Sequence, residues 1–95
     1  MKHRSSYSLN ARRMTTREEA HAHLKERLKL PDWYGNNLDA LYDCLSEIGE
    51  PTRIVLHVAA KLAKLPDGYG EKLLRVLRQA EEENPNITLS LHNRI

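Results

Sequence analysis

Three carboxylates at four-residue spacing, Asp39, Asp43 and Glu47, stand in and just beyond the stretch LPDWYGNNLDALYDCL, where acids occur without a single base. Two neighbouring carboxylates could act as an acid and base pair, but hydrolytic dyads bring their carboxylates together from separate segments into a cleft. Residues one turn apart on a single helix face form no such cleft. A solvated helix face accounts for the spacing alone, yet two features argue for a partner. Like charges at i,i+4 destabilise a helix by roughly 0.2–0.5 kcal/mol per pair. No Lys or Arg lies nearby to relieve them, although the chain has fifteen. Asp39 gains from the helix dipole, whereas Asp43 and Glu47 lie progressively further from the helix start. Such a row of acids suits a cationic partner.

The other reactive side chains carry weaker signals. Cys44 falls on the flank of the apolar arc of the same helix and reads as an inert, half-buried thiol. His21 and His23, two apart on a helix, face different ways and are poor joint metal ligands. His57 and His92 fall at strand ends, with no carboxylate or thiol motif nearby. The sequence DGYGEK lacks both the preceding strand and the spacing of a phosphate-binding loop. Lys2, Arg4, Arg12 and Arg13 make a basic N-terminal arm, which reads as a solvated end; a nucleic-acid reader would also avoid a five-acid patch. No catalytic residue, metal site or cofactor is expected. Trp33, Tyr34 and Tyr42 flank the acids: Tyr34 is expected in the core, Trp33 exposed in a turn as a contact anchor, and Tyr42 at the edge between the apolar and acidic arcs.

Charge is distributed in blocks. Residues 1–31 hold eight Lys and Arg against three acids, residues 32–50 hold five acids and no base, and residues 51–95 hold seven against five, which together give the net charge of +2. An acidic block in a basic chain is a local field, and it should steer a partner that is basic on its facing side. A single domain over 1–95, with residues 1–5 as a flexible arm, follows from a length that allows one modest core. No apolar run approaches the ~20 residues of a membrane span, and no apolar region follows the charged N-terminus as in a secretory signal. One cysteine excludes an intrachain disulfide and suits a reducing compartment, so the expected address is cytoplasmic.

The elements that must position these residues can be taken in order. SYSLN (6–10) is a short candidate strand. Thr16, with Glu19 three residues on, opens a helix whose apolar face is Ala20, Leu24 and Leu28 and which Pro31 should stop. DWYGNN is a turn in which Gly35 is free to take positive φ and Asn36 or Asn37 is placed to cap the next helix, running to about Glu47. On that helix Leu38, Leu41, Leu45 and Ile48 share one arc and the acids lie about opposite. TRIVLH reads as a buried central strand, and VAAKLAKLPDGYG as a helical turn and loop. EKLLRVLRQAEEE is a helix burying Leu73, Leu74, Leu77 and Ala80; NPN is a turn and ITLSL a last strand. Strands joined by helical crossovers are parallel, so the expected fold is a small α/β, three-layer-like sandwich on a short parallel sheet.

The run from Leu28 to Leu45, LxLPxWYGxNLDALxDCL, closely resembles the barstar family of ribonuclease inhibitors, and weaker similarity extends over residues 8 to 91. The resemblance implies a three-stranded parallel sheet packed by helices, and a cytoplasmic inhibitor that plugs the active site of a secreted, barnase-like ribonuclease. It also implies that the acid at Asp43 enters the phosphate pocket and the acid at Asp39 contacts its rim, carboxylates standing in for RNA phosphate. Trp33 stands where the family commonly has Tyr, and Tyr42 where it has Trp. Gln79 replaces a contacting Glu in the last helix, keeping the length without the charge. The expected partner surface is therefore Trp33, Asn37, Asp39, Tyr42, Asp43, Glu47, Gln79 and Glu83, on a protein that is monomeric when free and binds no nucleic acid or membrane directly. The family's type member is acidic where this chain is net basic, so steering falls to the local patch. A non-catalytic adaptor using the same face on another basic protein is the alternative.

Overall fold

The computed structural model describes residues 5–92. In chain order the elements are β1 (Ser5–Asn10), α1 (Arg17–Arg27), α2 (Leu38–Ser46), β2 (Thr52–His57), α3 (Tyr69–Glu83) and β3 (Ile87–His92). Short 3-10 segments at Ala11–Arg13, Ala59–Lys64 and Pro66–Gly68 connect them. The strands form one parallel sheet in the order β1-β2-β3, with Tyr7 beside Ile54 and Ile54 beside Leu89. The expected parallel sheet with helical crossovers and TRIVLH at its centre is therefore present.

Burial alternates along β2: Thr52, Ile54 and Leu56 are buried, while Arg53 and His57 are exposed. Ile54 and Leu56 join Leu24, Leu41, Leu45, Leu73 and Leu77 in one core cluster. All three helices thus cover the same sheet face. Right-handed crossovers between strands added in a constant direction produce this arrangement, since each helix is carried to the same side. The three-layer-like sandwich expected from the sequence is corrected to two layers. The bare face presents Ser6, Ser8, Asn10, Arg53, Val55, His57, Thr88, Ser90 and His92, all polar but Val55.

Local signals explain most boundaries. Thr16 caps α1 by accepting from the Glu19 N–H at 3.1 Å, as the capping signature predicts, while the Glu19 carboxylate accepts from the Thr15 hydroxyl. The helix stops before Pro31. Lys29 takes φ 55°, and the Leu30 N–H returns to the Lys25 carbonyl at 3.0 Å, a left-handed C-terminal cap that satisfies an otherwise unpaired carbonyl. Positive φ in the following turn falls on Asn36 at 54° and not on Gly35, because asparagine tolerates that region when its neighbours fix the turn. The last helix begins at Tyr69, earlier than its charged run suggests, and Gly70 lets it approach the preceding segment: a Cβ there would lie 1.9 Å from the Leu62 carbonyl oxygen. Leu73, Leu77 and Ala80 are buried as expected, whereas Leu74 is half-buried. Ser5 pairs with Thr52 in the sheet and so is not part of an arm; residues 1–4 lie outside those described.

Candidate functional site

The acid-bearing helix α2 is fixed at both ends. Asn37 accepts from the Ala40 N–H at 2.7 Å through its side-chain oxygen and donates to the Gly35 carbonyl at 3.2 Å, so its amide is occupied in starting the helix. At the other end the last turn contains no base to satisfy its carbonyls. Asn84, buried beyond the end of α3, supplies the donors instead: its amide nitrogen reaches the Leu45 and Ile48 carbonyls, both at 3.0 Å. Asn86 adds a third donor to Ile48 at 3.2 Å. This clamp was not apparent in the sequence, where NPN signals only a turn.

Leu41 and Leu45 point into the core, Leu38 and Ile48 pack against it, and Asp39, Asp43 and Glu47 are exposed. Glu47 is the C-cap residue, just outside the helix proper. The Asp39 and Asp43 carboxylates make no hydrogen bond or ion pair among the described residues. Beyond the bonds of the helix itself, the Asp43 backbone carbonyl accepts from the Ser46 hydroxyl at 2.7 Å. Trp33 is 75% exposed, the one large apolar side chain so placed among the described residues. Tyr34 beside it is buried in the core.

Across the α2–α3 seam, the Tyr42 hydroxyl donates to one Glu83 carboxylate oxygen, and the Gln79 amide donates to the other at 3.1 Å. These two donors hold the Glu83 carboxyl below its usual range, against a small opposing effect of burial. Tyr42, Gln79 and Glu83 are thus brought together, and a groove of about 490 Å³ runs between the two helices, walled by Asp39, Tyr42, Asp43 and Gln79. Gln79→Glu should replace a donor facing Glu83 with a second carboxylate. The Glu83 carboxyl should then titrate at higher pH than in the parent protein, checked by carbon NMR of the side chain; an unchanged or lower value would contradict the bond.

Cys44 is half-buried, and burial followed by the charges of Glu47 and Asp43 pushes its thiol up, away from the reactive thiolate. Two histidines have structural roles that their spacing did not reveal. His23 accepts the Asn10 N–H at 2.9 Å on Nε2. His21 is buried between two phenols, with Nδ1 at 2.7 Å from the Tyr34 oxygen and Nε2 at 2.5 Å from the Tyr69 oxygen. Because the Tyr34 hydroxyl donates to the Asn37 carbonyl at 3.5 Å, one polarity satisfies every hydrogen: Tyr69 to His21, His21 to Tyr34, Tyr34 to Asn37. The chain of bonds runs from the start of α3 through α1 to the cap of α2. Among the described residues no group of three or more His, Cys, Asp or Glu could hold a metal ion, and no helix is long and apolar enough to cross a membrane.

An exposed acidic helix face beside an exposed tryptophan is chemistry for contact with a cationic surface, and comparison with known proteins points the same way. Residues 5–92 match the family described as Barstar (barnase inhibitor). The chain is also 39% identical over 67 residues to the Bacillus subtilis protein named "Putative ribonuclease inhibitor YrdF", an alignment covering 70% of this chain and 74% of that one. A family match over all the described residues, together with this relative, shows that the chain belongs to the barstar family of non-catalytic barnase inhibitors.

Proposed function

We propose that this protein blocks the active site of a basic, secreted, barnase-like ribonuclease by docking the exposed face of α2. The observation that carries this reading is the pair of unpartnered carboxylates, Asp39 and Asp43, held on a helix whose ends are both fixed. A ribonuclease pocket that binds RNA phosphate with Arg, Lys and His accepts a carboxylate in its place. In this reading Asp43 enters the pocket and Asp39 sits at its rim. Trp33 packs against the enzyme as an apolar anchor, and Tyr42, Glu47, Gln79 and Glu83 form the surrounding polar edge. Asn37 acts indirectly by holding the start of α2. The protein works in the cytoplasm as a monomer, guarding cellular RNA before the nuclease is exported.

Titrating the purified protein into a barnase-like ribonuclease acting on RNA tests the proposal. Stoichiometric loss of cleavage, absent with the Asp39→Ala/Asp43→Ala double variant, is the expected result. An active nuclease at excess protein, with another basic protein captured through the same face, would instead establish the adaptor reading. The association rate should fall as salt rises, because attraction between an acidic patch and a cationic pocket is screened over ~8–10 Å at physiological ionic strength. Stopped-flow mixing at low and high salt measures this, and a flat rate would remove electrostatic steering from the mechanism.

A further inference from the structure

Away from the acidic face, a cleft of about 490 Å³ opens beyond the carboxyl ends of β1 and β2, and its lining is of opposite charge. Open parallel sheets take ligands at this end of their strands. The constant strand order provides no switch-point crevice here, so the walls come from the 3-10 segment after β1 and from α1. Arg12 and Arg13 contribute from the first, His23, Glu26 and Arg27 from the second, and His57 from the end of β2. Three guanidinium groups and two imidazoles therefore meet one carboxylate.

The donors are free but not loose. Arg27 is anchored by its Nε, which donates to the Ser8 carbonyl at 2.8 Å, while its two terminal nitrogens have no partner among the described residues. The Arg12 and Arg13 side chains make no hydrogen bond or ion pair there either. Since His23 accepts a backbone N–H on Nε2, its neutral ring carries the proton on Nδ1 and is a donor. Burial and the nearby Arg27 and Arg13 charges hold the His23 imidazole below its ordinary range, with Glu26 opposing weakly. A bound anion would reverse that. Val58, a β-branched residue held at φ 57°, lines the same cleft and turns the chain away from β2 at its mouth.

From this geometry we infer that the cleft is a second binding site, independent of nuclease inhibition, for the phosphate group of a small ligand of nucleotide size. Planar guanidinium forks match phosphate oxygens with paired hydrogen bonds, and the volume lies within the ~300–1,000 Å³ usual for small-molecule sites. The phosphate could belong to a free mononucleotide or to an RNA chain, two sources of one chemistry.

Calorimetry and NMR of the His23 ring, with inorganic phosphate, 5′-AMP and a ten-nucleotide RNA as probes, test the inference. Phosphate and AMP should both saturate the cleft and raise the pH at which His23 titrates. Arg12→Gln/Arg13→Gln should weaken AMP binding about tenfold or more, as loss of charged hydrogen bonds implies. Lys72→Gln/Arg75→Gln, which removes equal charge from exposed positions on α3, should leave it within about twofold. If RNA binds and AMP displaces it, the chain phosphate uses the same site. Equal weakening in both double variants, an unmoved His23 at millimolar AMP, or RNA binding that neither AMP nor phosphate displaces would each overturn the inference. Circular dichroism confirms folding of both variants, and ribonuclease inhibition should survive in the first.

Discussion

Replacing Asp43 with alanine should abolish most of the inhibition of a barnase-like ribonuclease and leave the fold intact. The two halves of that expectation rest on one fact: the carboxylate is exposed and makes no contact that the free protein needs. Surface substitutions of this kind change stability by no more than about 0.5 kcal/mol, and removal of one of a row of like charges tends to help the helix. In the complex the same truncation would leave the nuclease's cations desolvated and unpaired. Breaking a buried interfacial charge pair costs about 2–5 kcal/mol or more, a general range to which the barnase–barstar pair itself contributes. That corresponds to weakening of roughly thirtyfold to several thousandfold, mostly through faster dissociation. Asp39→Ala, at the pocket's edge, should lose less. Dissociation rates and urea midpoints measured on the same samples decide the matter. A variant that unfolds, or that holds the nuclease as well as the parent, would remove Asp43 from the centre of the interface.

His21→Ala should be the more damaging change to stability, by about 2–4 kcal/mol, combining a void among packed side chains with two buried phenols deprived of a partner. In the parent protein His21 should also make stability depend on pH. Burial first, and then the Arg17 charge, lowers the His21 imidazole from its ordinary 6.5. As pH falls below that value the unfolded chain takes up a proton that the folded protein resists, so stability drops until the folded imidazole itself is protonated. The lowered His23 imidazole acts in the same direction. Protonated His21 has two donors and no acceptor, so the Tyr69 hydroxyl would have to turn away. Urea unfolding at pH 7.5 and 5.5 should show a smaller loss in His21→Phe than in the parent protein, since the variant has one fewer such group. Equal losses would assign the acid sensitivity elsewhere.

The parts legible in the sequence were those whose causes are local. Thr16 and Asn37 cap their helices because a short oxygen-bearing side chain meets the nearby N–H groups, a relation visible within three or four residues. The arc of Leu38, Leu41 and Leu45 fixed which side of α2 faces inward, and with it the exposure of Asp39 and Asp43. Trp33 was placed outward by its turn. What escaped depends on segments meeting across the fold. His21 sits on an apolar helix face and looks like an isolated titratable group until Tyr34 and Tyr69 converge on it from either side. Asn84 clamps carbonyls nearly forty positions earlier. The Tyr42–Glu83–Gln79 cluster exists only where α3 lies against α2, and the basic cleft needs β1, β2 and α1 assembled together. The single covered sheet face was also missed, because the apolar run TRIVLH suggests burial on both sides when Arg53 and His57 are not weighed against it.

A sheet with only parallel neighbours has no hairpin with which to begin. Ser5 must find Thr52, and Thr52 must find Ile87, before any ladder closes. Each encounter pays the chain entropy of closing a long loop before the hydrogen bonds return anything, whereas the helical turns between the strands can form within microseconds. That difference in speed predicts that helices appear first as fluctuating segments and that β2 joins late as the shared partner of both edges, an order that φ-values along β2 would test. Until β2 joins, α2 lacks a scaffold, and its acids can be displayed as a rigid surface only by a chain that has folded completely.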